Sequence, residues 1–156
     1  MSKKAEVKDK KPRSSPKEGG EAAPDFYVVG IGASAGGFEA LEMFFKRMPS
    51  NSGLCFVVVQ HLSPDHKSLM VELLSRHTDM KVHQAEEGVE LKPDTVFLIP
   101  PKKIMTVADG RLHLMERTNK PLPYFPIDTF LNSLAEDKGE QSIAMIMSGT
   151  GSDGTR

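Results

Sequence analysis

The sequence predicts an α/β fold: a doubly wound, mostly parallel sheet with helices on both faces, plus one β-hairpin. Short apolar runs, each typical of a buried strand, alternate along the chain with segments whose apolar residues recur at helical spacing. The strand-like runs are apolar throughout, which is typical of parallel strands covered on both faces. Asp109-Gly110, between two segments of alternating apolar residues, predicts the hairpin.

The elements follow one another in a regular order. The first helix is predicted from Gly36 onward, directly after a glycine-rich turn. Pro64 opens the second helix and Pro126 the third, because proline is favoured in the first helical turn. Lys138-Gly139 marks the end of the third helix. The strands predicted for the sheet are residues 26–31, 54–60, 81–84, 95–99 and 143–147.

Length, charge and cysteine content narrow the class of protein. The chain has 156 residues, enough for about one domain with a sizeable core, and a net charge of −1. This near-neutral balance gives no reason to expect nucleic acid as a partner. No apolar segment approaches the roughly 20 residues that span a bilayer, so we expect no membrane insertion. The single cysteine, Cys55, lies in an apolar run; we expect it to be buried, in a cytoplasmic, reducing compartment.

Residues 1–24 differ in composition from the rest of the chain. They are rich in Lys, Glu, Pro, Gly and Ser and contain almost no large apolar side chain. Such a segment cannot bury enough surface to offset its ordering entropy, so it is predicted to be a disordered basic and polar tail. Residues 25–156 are then expected to form one domain.

Three polar residues follow the carboxyl ends of predicted strands. Ser34 lies in the glycine-rich turn after the first strand, His61 follows the second strand and Asp153 follows the last one. Sheets of this kind bind ligands outside the carboxyl ends of their strands, so the three side chains are candidates for convergence. A serine becomes a nucleophile when a histidine takes its proton, and a carboxylate orients that histidine. The residue types therefore match a catalytic triad.

Each of these residues also has a purely structural interpretation. Ser34 suits a helix N-cap, His61 suits a hydrogen bond to a backbone carbonyl, and Asp153 suits a glycine-rich turn. The histidines lack a convincing zinc-ligand spacing and there is no second cysteine, so no metal is expected.

The glycines allow a nucleotide-binding interpretation. Gly30, Gly32 and Gly36 resemble a loosely spaced dinucleotide-binding loop, in which glycines let a pyrophosphate approach the backbone. That site expects an acidic residue at the end of the second strand, which would grip a ribose hydroxyl. The second strand ends in the segment QHL, which contains no acid. An NAD(P)-binding domain is therefore the weaker alternative.

Four sequence blocks, in this order, resemble the chemotaxis protein-glutamate methylesterases, the CheB family. Each block is weak alone, but together they are specific and cover nearly all of the chain after the tail. The blocks are GIGASAGG at residues 30–37, VVVQHL at 57–62, FLIPP at 97–101 and SGTGSDGT at 148–155.

The resemblance implies an activity and the residues that carry it. Family members hydrolyse glutamate γ-methyl esters on chemoreceptors, and some also deamidate receptor glutamines. The family's nucleophile, histidine and aspartate fall on Ser34, His61 and Asp153, and backbone N–H groups near Ala35 and Thr150 would hold the oxyanion. No cofactor is implied. The expected partners are methyl-accepting chemoreceptors, with either a partner methyltransferase or sensory domains of a longer protein as an additional possibility.

The chain departs from the family pattern at its end. It stops at Arg156, just after Asp153, whereas family domains continue for several tens of residues. We therefore expect a domain that is truncated at its C-terminus, with low stability or a tendency to self-associate. A non-catalytic module that binds a receptor or a signalling partner shares every motif and stays open as an alternative.

Overall fold

The computed structural model describes residues 25–34, 36–61, 69–118, 124–147 and Gly154. The tail predicted for residues 1–24 lies outside these ranges. Within them, seven strands and three α-helices alternate much as the sequence predicts. In chain order the elements are β1 (Val28–Ala33), α1 (Phe38–Arg47), β2 (Cys55–Gln60), α2 (Met70–Ser75), β3 (Lys81–Gln84), β4 (Thr95–Leu98), β5 (Lys103–Ala108), β6 (Arg111–Glu116), α3 (Pro126–Lys138) and β7 (Ser142–Met147).

The boundaries differ from the predicted ones by a few residues at most where they can be compared. The first strand runs to Ala33 rather than ending at Ile31, because the small residues before Ser34 continue to pair with β2 and β7. The predicted start of the second helix, at Pro64, lies outside the described residues. None of the described helices is long and apolar enough to cross a membrane.

The main sheet has five parallel strands in the order β3-β4-β2-β1-β7, and the hairpin β5–β6 forms a separate antiparallel pair. The strands β2, β3 and β4, which follow β1 in the chain, all lie on one side of it. The last strand, β7, pairs with β1 on the other side. The reversal puts the topological switch point between β1 and β7, where sheets of this kind bind ligands. The predicted fold class is confirmed.

Helices cover both faces of the sheet. One face packs against α1 and α2 through Leu41, Phe45 and Leu74, all of which are fully buried. The other face packs against α3 and the hairpin through a core that includes Phe130 and Met105. This two-sided burial explains why the central strands are apolar throughout.

The hairpin turns at Asp109-Gly110, as predicted. Both residues have positive φ, 52° and 70°, which a two-residue hairpin turn of type I′ requires. The hairpin is tied to α3 by two hydrogen bonds: the Val107 N–H donates to Ser133 Oγ at 3.0 Å, and the Gly110 N–H donates to Asp137 Oδ2 at 3.2 Å. The hairpin is therefore fixed against the same helix that covers β1.

Cys55 is completely buried in β2, as predicted for a small apolar residue. Burial raises the pKa of its thiol to about 12, because a thiolate would lose its hydration there. Its role in the described structure is packing.

Two glycines let α3 lie directly on β1. A Cβ atom on Gly30 would come within 2.7 Å of Leu131 Cδ2, and one on Gly32 within 2.5 Å of Ile127 Cγ2. The helix occupies the space that side chains would fill at these two strand positions.

Replacement of Gly32 by alanine is expected to lower the free energy of unfolding by about 1–3 kcal/mol, because the new methyl group would overpack the β1–α3 contact. Chemical denaturation monitored by circular dichroism measures the change. Gly36→Ala is the matched control, since no atom lies within 4 Å of its Cβ position. Equal stability of the two variants would contradict this account of the packing.

Candidate active site

Ser34 and His61 follow neighbouring strands at the same edge of the sheet. In the parallel register of β1 and β2, Ala33 lies opposite Gln60, so Ser34 and His61 each come one residue later. The His61 N–H donates a hydrogen bond of 3.3 Å to the Ala33 carbonyl oxygen, which continues the pairing beyond the strand ends. Both residues are half-buried. The backbones of two members of the predicted triad therefore lie next to each other, at the ends of two neighbouring strands.

The turn after Ser34 is held from two directions. The Ser34 carbonyl oxygen accepts a hydrogen bond of 2.8 Å from the Gly37 N–H and one of 3.3 Å from Nε2 of the buried Gln60 side chain. Gln60 therefore links the end of β2 to the backbone of the candidate nucleophile. With Nε2 engaged in this way, Gln60 Oε1 is buried and accepts no hydrogen bond among the described residues.

Gly37 lets the turn pack tightly before α1 begins. A Cβ atom at this position would lie 2.9 Å from the Ala33 Cβ, 3.1 Å from the Ser34 carbonyl oxygen and 3.3 Å from the Met147 carbonyl oxygen. The turn therefore touches the ends of both β1 and β7, so any larger residue would move Ser34. Sequence alone indicates a tight turn here, but not its contact with β7.

The last strand, β7, ends beside the end of β1. In the parallel register of β1 and β7, Met147 lies opposite Ala33. Asp153 itself lies outside the described residues, as do Ala35 and Thr150, the two positions expected near the oxyanion. The described residues on either side of the 148–153 segment are Met147, in β7, and Gly154.

Asp128 is a residue of the site that the sequence analysis did not single out. It is buried near the start of α3, and its Oδ1 accepts a hydrogen bond of 2.7 Å from the Gly154 N–H. A Cβ atom on Gly154 would also lie 2.7 Å from Ile146 Cδ1, so this backbone passes close to the sheet. A buried carboxylate needs a hydrogen-bond donor. The sequence signal for such a residue was an aspartate among the apolar residues on one face of the predicted third helix. Asp128 fixes the position directly after the candidate aspartate.

A pocket opens on the other side of His61. Its volume is about 310 Å³, and its described lining includes Gln60, His61, Tyr124 and Arg117. The Tyr124 ring meets the His61 imidazole edge to face, with 6.0 Å between the ring centres. Neither the pocket nor Tyr124 was predicted, because the contact between His61 and Tyr124 joins segments that are far apart in sequence.

The geometry bears on the nucleotide-binding alternative. Gly30 and Gly32 lie inside β1, where α3 fills the space above them, so they cannot admit a pyrophosphate. Gly36 remains in the turn, but one glycine does not make a phosphate loop. Within the described ranges, no three His, Cys, Asp or Glu side chains cluster closely enough to hold a metal ion.

Fold and site together define a class of protein: a doubly wound α/β domain with a serine and a histidine at the carboxyl ends of neighbouring strands of its sheet. The Ser34 hydroxyl and the His61 imidazole are the described groups there that suit nucleophilic and general-base chemistry. Comparison with known proteins makes the class specific.

The chain belongs to the CheB methylesterase family, because the family model matches residues 29–156. The crystal structure of the Thermotoga maritima CheB methylesterase catalytic domain is similar, with a TM-score of 0.72 and 30% sequence identity. The similarity covers 85% of this chain and 72% of that domain. The resemblance inferred from the four sequence blocks is confirmed.

Two similar proteins are much longer than the region that matches this chain. A protein-glutamate methylesterase/protein-glutamine glutaminase of Desulfitobacterium hafniense is 30% identical over 146 residues, which are 89% of this chain and 37% of that protein. An uncharacterized 104.1 kDa protein of Rhodobacter capsulatus is 48% identical over 87 residues, which are 56% of this chain but 9% of that protein. The chain thus spans 37% or less of these two relatives.

Asp128→Ala is expected to loosen the loop at Gly154. A hydrogen bond to a charged acceptor contributes roughly 1.5–3 kcal/mol, and its loss leaves the Gly154 N–H without that acceptor. We expect amide exchange at Gly154 to accelerate and the global stability to fall by about the same amount, as measured by NMR and denaturant unfolding.

Asp137→Ala is the matched control, since this carboxylate also lies on α3 and accepts a backbone N–H of a glycine, Gly110. It should accelerate exchange at Gly110 and leave Gly154 unaffected. If Asp128→Ala did not change exchange at Gly154, Asp128 would not be the residue that holds this loop.

Proposed function

We propose that this chain is a protein-glutamate methylesterase, a serine hydrolase that removes methyl groups from glutamate γ-methyl esters of chemoreceptors during sensory adaptation. The observation that carries the proposal is the adjacency of Ser34 and His61 at the carboxyl ends of β1 and β2, in a chain of the CheB methylesterase family. Because relatives are named protein-glutamine glutaminases as well, deamidation of receptor glutamines is proposed as a second reaction of the same site.

The reaction proceeds through an acyl-enzyme. Ser34 Oγ attacks the ester carbonyl while His61 takes its proton, and Asp153 orients the imidazole and stabilises its cation. Backbone N–H groups near Ala35 and Thr150 bind the oxyanion, each worth roughly 3 kcal/mol. Methanol leaves with the proton from His61. Water, deprotonated by His61, then cleaves the acyl-enzyme to give glutamate and restores Ser34.

The structure supports this assignment of roles through the backbone around the candidate nucleophile. Two hydrogen bonds fix the Ser34 carbonyl, one of them from the side chain next to His61. Asp128 fixes the residue next to Asp153. A site held in place before substrate arrives loses little free energy to reorganisation in the transition state.

The cellular setting follows from the same family. We propose a cytoplasmic location, chemoreceptors as substrates, and either a partner methyltransferase or sensory domains of a longer protein as working partners. The match to a small part of a 104.1 kDa relative supports the last of these.

Ser34→Ala is expected to reduce methanol release from methyl-labelled chemoreceptor membranes by about 10⁴-fold or more, because the nucleophile is lost. Ser75→Ala, an exposed serine at the end of α2, is the control and should release methanol at the wild-type rate. Circular dichroism checks that each protein is folded. Folded wild-type protein that releases no methanol would favour the non-catalytic binding module instead.

Asp153→Asn is expected to lower kcat by about 10⁴-fold with little change in KM, because an amide favours the wrong tautomer of His61. Steady-state hydrolysis of a glutamate γ-methyl ester peptide measures both constants. Asp79→Asn, at an exposed loop position, is the control. A kcat close to that of the wild type would remove Asp153 from the mechanism.

A further inference from the structure

The pocket beside His61 carries positive charge that the proposed reaction does not use. Besides His61, its described lining includes Lys102, Arg117 and Tyr124, together with the Ile99-Pro100-Pro101 segment that follows β4. The described lining contains two cationic side chains and no carboxylate.

The backbone and an aromatic ring hold Arg117 in place. Its N–H donates a hydrogen bond of 3.1 Å to the Lys102 carbonyl oxygen, so the two cations leave neighbouring strand ends of the hairpin. The guanidinium carbon lies 4.2 Å from the centre of the Tyr124 ring, a cation–π contact. A guanidinium stacked in this way keeps its N–H edge available for a planar anion.

Tyr124 connects this cation to the candidate active site. Its hydroxyl donates a hydrogen bond of 3.0 Å to the Lys103 carbonyl oxygen, which fixes the ring against the hairpin. The same ring meets His61 edge to face. One aromatic ring therefore separates Arg117 from His61.

Lys102 adopts a backbone conformation that is unfavourable for its residue type. Its φ is 60°, in the left-handed region that glycine or asparagine enters more easily. A non-glycine residue in this region costs roughly 1–3 kcal/mol. Here the turn places Lys102 on the pocket beside Arg117.

Neither cation is neutralised within the described part of the chain. On the same hairpin, Lys103 pairs with Glu116 and Arg111 pairs with Glu90. No ion pair of Lys102 or Arg117 with a described carboxylate is present.

We propose that this pocket is a carboxylate subsite, which binds a glutamate or aspartate side chain of the substrate polypeptide close to the esterified glutamate. The inference rests on the proposed function, since it identifies what that site recognises. A stacked guanidinium binds a carboxylate through two parallel N–H donors, and Lys102 adds a second charge. Each turnover creates a glutamate carboxylate, so a substrate segment with several targets becomes a better ligand as the reaction proceeds.

The test uses two short helix-forming peptides, each with one glutamate γ-methyl ester. They differ in having glutamate or glutamine roughly one helical turn from the ester. The glutamate peptide should show a kcat/KM about tenfold higher, equivalent to about 1.4 kcal/mol. Arg117→Gln and Lys102→Gln should each bring this ratio towards one. Arg111→Gln, on the same hairpin but away from the pocket, is the matched control and should keep the full ratio.

A binding measurement separates failure of the subsite from failure of the proposed function. The Ser34→Ala protein, titrated with the same fluorescently labelled peptides, should bind the glutamate peptide about tenfold more tightly at low salt. If both peptides are hydrolysed at equal rates, or Arg117→Gln keeps the preference, the subsite is wrong and the methylesterase assignment stands. If neither peptide is hydrolysed, the methylesterase assignment fails. In that case, tighter binding of the glutamate peptide to the Ser34→Ala protein would still support the subsite. Equal binding of the two peptides would overturn it.

Discussion

The contact of α3 with β1 is the constraint on which the rest of the structure depends. Gly30 and Gly32 leave two neighbouring positions on one face of β1 without side chains, and α3 fills that space with Leu131 and Ile127. The close approach fixes the height and position of the helix over the sheet. After α3 and one 3₁₀ turn the chain enters β7, which pairs with β1. The helix that packs on β1 is thus also the connection that leads into the strand at the switch point.

The candidate site results from that arrangement. Parallel pairing brings the ends of β1, β2 and β7 to one edge of the sheet, with Ala33 opposite both Gln60 and Met147. Three loops that are distant in sequence therefore start within one or two residues of each other. The same helix that covers β1 supplies Asp128, which accepts a hydrogen bond from the Gly154 N–H. The helix α3 thus contributes to the site in two ways, by packing on β1 and by binding the Gly154 N–H through Asp128.

Much of this could be predicted from sequence because the signals are local. Apolar runs, glycine-rich turns and the Asp109-Gly110 pair each determine the backbone within a few residues, and the predicted order of elements is confirmed. Asp128, Tyr124 and the pocket beside His61 were missed for a physical reason. Each depends on a contact between segments more than 20 positions apart, such as the Asp128–Gly154 hydrogen bond, and no local pattern encodes such a contact.

The structure also separates the proposed chemistry from the proposed recognition. Ser34 and His61 come directly after β1 and β2, whose parallel register sets the positions of their backbones. The cations of the pocket belong to the turn before β5 and the residue after β6, on a hairpin that adds no strand to the main sheet. A substitution on the hairpin can change the charge that meets a substrate without disturbing the register that positions the serine and the histidine. Tyr124, in contact with His61 and Arg117, is the point at which the two parts meet.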